Sequence, residues 1–212
     1  MQTCRIMKAA LAFLLAGIVA GCGATRPVKY YVLDVGSAPA NPAAPTYPVS
    51  LVVTRVQAAH LYRDDRLVYG SGHVELGTYE YERWAEVPAD MIEDMLLTSL
   101  RSTGAYRSVS RIGSSVRGDY LVRGHLYALD EVETPALAAR FSFQLELVDP
   151  KTGGTIWSDT YSHDEPVNGG KHVAVADVIE ALDRNVQAGL QQLSGNLGQY
   201  FAAHPPQTSA AR

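Results

Sequence analysis

From Leu137 to Val148 the chain alternates with a period of two. Ala139, Phe141, Phe143, Leu145 and Leu147 fall on one side, and Arg140, Ser142, Gln144 and Glu146 on the other. A strand with one dry face and one wet face satisfies that pattern. Such a strand needs neighbours that share its dry face and a second layer to cover it. The residues that follow, Asp149 to Gly154, read DPKTGG, a turn that sends the chain back. Thr155 to His163 is then the return strand of an antiparallel hairpin. Upstream, Asp119 to Val132 is a long strand, Glu133 to Ala136 its hairpin loop, and Tyr106 to Ile112 a further strand.

The N-terminal half carries more of the same. Lys29 to Val35 reads KYYVLDV and Val49 to Gln57 reads VSLVVTRVQ, both rich in aromatic and β-branched residues. Between them, Gly36 to Pro48 holds Pro39, Pro42, Pro45 and Pro48, an extended loop that cannot be helix or central strand. Leu61 to Asp65 is polar and turn-like. Arg66 to Gly70 and His73 to Tyr79 form a hairpin around Gly70, Ser71 and Gly72.

Two segments switch to the helical period. After Tyr81 to Val87, Pro88 opens a helix with Ile92, Met95, Leu96 and Leu100 on one face, and Gly104 stops it. His172 to Phe201 is a longer helix whose stripe includes Val175, Ile179, Leu182, Val186, Leu190, Leu193 and Leu197. Each helix has a single apolar stripe to bury. The expected fold is therefore a two-layer α+β domain over residues 29–201, with a mostly antiparallel sheet and both amphipathic helices on one face. Residues 202–212, with paired prolines, form a flexible tail.

The N-terminus has its own logic. Met1 to Lys8 is basic, and Ala9 to Ala20 is an apolar run of 12 residues. Spanning a bilayer takes about 20 residues, so this length suits a secretory signal peptide. Residues 1–21 are the expected leader. Val19-Ala20-Gly21-Cys22 resembles the bacterial lipobox, which implies that Cys22 carries a diacylglycerol and an N-acyl chain. At about 0.8 kcal/mol per buried methylene, such an anchor is effectively permanent. Cys4 leaves with the leader, so the mature chain keeps no free thiol and no disulfide. Gly23, in place of an aspartate, favours the periplasmic face of the outer membrane. Residues 22–28 are the tether. If the first strand docks on the domain, that tether reaches at most about 20 Å; if not, it extends to Pro48. Docking is favoured, because a free KYYVLDV would expose three large apolar side chains and a bare strand edge.

Loss of Arg5 and Lys8 with the leader takes the formal net charge from -4 to -6. With no basic cluster, nucleic acid is excluded as a partner. No phosphate loop and no GxSxG elbow are present. Gly70-Ser71-Gly72-His73 reads as a turn. His163 and His172 flank Asp164 and Glu165, but solvated loop residues outweigh a metal site there. No catalytic residue, metal or cofactor is assigned beyond the acyl groups on Cys22. The most pointed local feature is Tyr79 to Pro88, YEYERWAEVP. One reading has Trp84 plugging the core with Arg83 paired to an acid. The other makes Tyr81, Arg83 and Trp84 a partner contact, since Tyr, Trp and Arg anchor interfaces. Both hold together if Trp84 lies inside and Arg83 outside.

The lipobox, the YYVLD run at 30–34, Arg66 and Tyr69, and above all ERWAEVP at 82–88 running into a helix resemble the ABC-type transport auxiliary lipoproteins. The likeness spans Tyr30 to Tyr200. It departs at Gln57 to Asp65, where Leu61-Tyr62-Arg63-Asp64 is only a partial match. The resemblance implies a non-enzymatic outer-membrane docking part. Its partners would be an MCE-domain protein that bridges the periplasm, a permease and an ATPase, moving lipids or hydrophobic compounds between membranes. It also implies a homo-oligomer, for which unpaired sheet edges offer a route. Two alternatives remain. One is an outer-membrane lipoprotein that activates or pilots another envelope machine, such as a cell-wall synthase or a secretin. The other is a lipid hydrolase, which would need a nucleophile with a base in reach.

Overall fold

The computed structural model describes residues 26–36, 46–71, 75–114, 118–168 and 173–206. The leader, Cys22, most of the Pro-rich loop, His73, His172 and the end of the tail lie outside them. Among the described residues nine strands and two α-helices follow in order. The strands are β1 (Lys29–Tyr31), β2 (Tyr47–Val53), β3 (Gln57–Ala58), β4 (Arg66–Ser71), β5 (Glu75–Trp84), β6 (Tyr106–Arg111), β7 (Tyr120–Val132), β8 (Ala138–Val148) and β9 (Thr155–Pro166). The helices are α1 (Pro88–Ser102), between β5 and β6, and α2 (Val175–Ala203), after β9.

The sequence-local hairpins are the longest ladders. β7, β8 and β9 pair antiparallel along their lengths, from Leu121 opposite Val148 to Ala138 opposite Pro166. Because β8 takes the whole of one edge of β7, three short strands share the other. β2, β3 and β4 lie parallel to β7 in succession, with Leu51 opposite Tyr120, Gln57 opposite His125 and Val68 opposite Asp130. Residues 47–71 are thus one interrupted course beside a single long strand. β6 pairs parallel with β2 on its far side, β5 antiparallel with β4, and β1 parallel with β5. The α+β class holds. Antiparallel ladders carry most of the pairing, and parallel contacts join segments distant in sequence, as crossovers require.

The interruption in that course has a cause. Arg63, Tyr62, Leu61 and His60 form a single 3-10 turn, and Tyr62 turns inward and is buried. Its hydroxyl donates to Asp130 Oδ1 at 2.9 Å. The segment that reads as a polar turn therefore also supplies a core aromatic.

Both helices cover the dry face. Ala139, Phe141, Phe143, Leu145 and Leu147 of β8 are fully buried, while Arg140, Ser142, Gln144 and Glu146 are partly exposed, as the alternation predicts. α1 ends at Gly104, whose φ of +61° only glycine adopts freely. α2 lies over β8 and β9. It comes so close at Gly189 that a Cβ there would sit 2.6 Å from the Tyr161 ring. Buried Asn185 fixes the crossing: its amide donates to Ala139 O at 2.8 Å and His163 O at 2.9 Å, and accepts from the Tyr161 hydroxyl at 2.8 Å. Relative to the sequence reading, α2 starts three residues later, at Val175. β5 runs on to Trp84, because β1 gives its last residues a partner.

Candidate functional site

The segment YEYERW is the second half of β5, and its alternation sorts the candidate residues. Glu82 and Trp84 point to the dry side, Tyr81 and Arg83 to the other. Trp84 is 1% exposed and belongs to the core, so of the three candidate contact residues only Tyr81 and Arg83 reach the surface. Arg83 Nη1 lies 2.6 Å from Asp65 Oδ1, and the Trp84 amide donates to the Asp65 carbonyl at 2.6 Å. Asp65 thus holds two successive residues of β5. The Arg26 guanidinium lies 5.4 Å from the Tyr81 ring centroid, a cation–π distance. A hydrogen bond to Glu80, and then the charge of that carboxylate, raise the Tyr81 phenol above its ordinary pKa.

The first strand is docked. Lys29 lies opposite Glu82, Tyr30 opposite Arg83 and Tyr31 opposite Trp84, and the Ala85 amide donates to Tyr31 O at 2.7 Å. Glu82 is 4% exposed, and a buried carboxylate is costly unless it is paired. Among the described residues its partners come from the N-terminal segment. Tyr31 Oη donates to Oε2 at 2.8 Å, and Arg26 and Lys29 stand 3.6 Å from Oε1. Burial first, then the hydrogen bond and charge of Glu82, push the Tyr31 hydroxyl up to about 12. Sequence reasoning missed Glu82. A signal was present: if Trp84 plugs the core, the residue two before it faces the same way and needs donors, and KYY supplies them.

Past β1 the chain straps the helices. Leu33 is buried, the Asp34 amide donates to Asp183 Oδ1 of α2 at 2.9 Å, and Gly36 turns with φ +65°. Beneath the strap is a groove of about 320 Å³ between the helices, lined by Val35, Met95, Thr98 and Gln187 among others. Burial, more than any charge, raises the Asp183 carboxyl above its ordinary value. On the open face of the sheet, a shallow groove of about 650 Å³ runs past Arg55, Arg123, His125 and Gln144.

The remaining candidate chemistry is spread out. Arg140 forks onto Asp164 at 2.9 and 3.1 Å, and His163 and Arg184 stand 3.5 and 3.7 Å from Glu165. Asp164 and Glu165 lie on β9 instead of in a loop, paired in register with Arg140 and Ala139 of β8, and each acid is matched to an arginine. Among the described residues no group of three or more His, Cys, Asp or Glu side chains could hold a metal ion. Ser71 Oγ lies 3.1 Å from Thr134 Oγ1. No described helix is long and apolar enough to cross a membrane.

Comparison with known proteins gives two kinds of likeness. The family model described as ABC-type transport auxiliary lipoprotein component matches residues 31–194. No curated protein matches significantly. Among solved structures, a Xanthomonas campestris protein of the DUF330 family superposes with a TM-score of 0.71 at 23% identity, over 83% of this chain and 99% of that one. An uncharacterized protein gives 0.59 at 13% identity, over 83% and 99%. A hypothetical protein from Chlamydia trachomatis gives 0.52 at 8%, over 74% and 99%. At these identities the structural likeness is one of fold.

Proposed function

The chain belongs to the ABC-type transport auxiliary lipoprotein component family, and from that premise we propose that it is the outer-membrane docking part of an MCE-type ABC transport system. In this reading Cys22 carries the diacylglycerol and N-acyl chain, and the domain faces the periplasm. It receives an MCE-domain protein that connects to the permease and ATPase, as a single copy or a homo-oligomer. The cargo is a lipid or another hydrophobic compound, and the lipoprotein itself performs no reaction.

The observation that carries the reading is the seating of the N-terminal strand. An adaptor that holds a periplasmic partner in place must be rigidly joined to its own anchor. Here Arg26, Lys29 and Tyr31, four to nine residues after Cys22, are joined to β5 through Glu82. In this reading Tyr81 and Arg83, on the outer face of the same strand, meet the partner beside the anchored edge of the sheet.

The test is purification of the full-length protein from its own membranes in mild detergent. Co-purification of an MCE-domain protein with its permease and ATPase is the expected result. Recovery of cell-wall synthases or a secretin alone would replace this reading with the piloting one.

A further inference from the structure

Edge strands of soluble domains ordinarily turn charged or polar side chains outward. The edge at β1 keeps one such group, Lys29, and adds an apolar run beside it. Along β1 and the residues that flank it, Tyr31 and Leu33 turn inward and Lys29 reaches Glu82 from the rim with its side chain exposed, while Val28, Tyr30 and Val32 stand outward at 41%, 63% and 66% exposure. Arg26 shares their side, against the Tyr81 ring. Apolar bodies flanked by phenol and guanidinium tips are the composition that settles at a membrane–water boundary, where the tips reach the headgroups.

The place of this patch in the chain names its occupant. Cys22 is four residues before Arg26 and six before Val28. Fully extended, those stretches span at most about 14 and 21 Å. Three side chains are too few to hold a soluble protein on a bilayer. An anchor so near makes the contact intramolecular, at an effective concentration in the millimolar range, where weak interfacial affinity suffices. We propose that the outward face of Val28, Tyr30 and Val32, with Arg26, rests in the headgroup layer of the membrane that holds the Cys22 acyl chains, and so fixes which way the domain faces. The inference rests on the anchored reading above.

Full-length lipidated protein in phosphatidylethanolamine–phosphatidylglycerol vesicles tests it. With Cys22 acylated, Val32→Cys offers a unique thiol for an environment-sensitive fluorophore, and Thr160→Cys on β9 serves as the distant control. The expected result is severalfold stronger quenching of the position-32 probe by headgroup spin-labelled lipid, and weaker quenching by iodide, than at position 160. Equal iodide access at both positions overturns the proposal. So does a position-32 probe shielded from iodide yet untouched by the spin-labelled lipid, since a second copy of the chain would then cover the edge. Flotation of the same vesicles separates the two levels. Protein that floats with a water-exposed probe defeats this inference alone, and protein that does not float defeats the anchored reading with it.

Discussion

β1 and β9 both end the sheet, and they end it in opposite ways. β9 has 12 residues and pairs with β8 along its whole length. Ser158, Thr160, Ser162 and Asp164 face outward from it, while Trp157 and Tyr161 tuck under α2. β1 has three residues, Tyr30 outermost between exposed Val28 and Val32, and one buried carboxylate beneath it. A long ladder under a helix distributes its hold over many pairs, each contributing about 1 kcal/mol or less. A short strand must concentrate its hold in a few groups. The two edges should therefore respond differently to single substitutions.

The largest effect is expected where the difference disappears. Trp84 lies under β1 but belongs to the common core, so Trp84→Ala should cost about 3–5 kcal/mol. Denaturant unfolding of the mature domain should show both edges melting in one earlier transition. Separate transitions for the two edges would show that the β1 corner is an independent unit. Glu82→Gln should be smaller and local, about 1 kcal/mol, because Tyr31 keeps an acceptor while the charge facing exposed Arg26 and Lys29 is lost. Amide hydrogen exchange should quicken at 29–34 and stay unchanged at 155–166. Asp164→Asn on the β9 side, which breaks a surface pair, should leave both alone. Faster exchange at β9 in Glu82→Gln would remove the contrast.

The smallest effect is alkaline. The Tyr31 phenol has its pKa raised in the folded state, so the fold prefers it protonated. Its contribution is complete below the ordinary phenol value near 10 and is lost as pH rises through about 12. Stability of the parent should fall across that window more steeply than that of Tyr31→Phe, by unfolding at matched pH. Tyr62, Tyr79 and Tyr106 are raised further and change little in the comparison. Equal slopes would mean that the hydroxyl does not hold β1.

The parts legible in the sequence were those with local causes. The alternation of β8, the DPKTGG turn, the stop at Gly104 and the stripes of both helices each follow from residues a few positions apart. The docking of β1 was also within reach, through the cost of leaving KYYVLDV bare. The parallel pairings of β2, β3 and β4 with β7 were not, because short strands carry no mark of which distant strand they will join. Tyr62 was hidden for a similar reason: its acceptor, Asp130, lies far along the chain. In the candidate site, Trp84 plugs the core and Arg83 pairs with an acid, Asp65, as the packing reading has it. Glu80 and Glu82 look alike on the page, and only the arrival of β1 decides which one is buried.

The interrupted course of β2, β3 and β4 beside β7 also sets an order of assembly. The β7–β8–β9 meander and the β4–β5 pair close over short loops and can form early. The parallel contacts span about 70 residues of chain and must wait until β7 exists. β1 also pairs across a long stretch, from Lys29 to Glu82, and so must wait until β5 exists. The N-terminal end therefore closes onto an edge made by residues that come later in the chain, so it acts as a latch on the sheet and not as its nucleus.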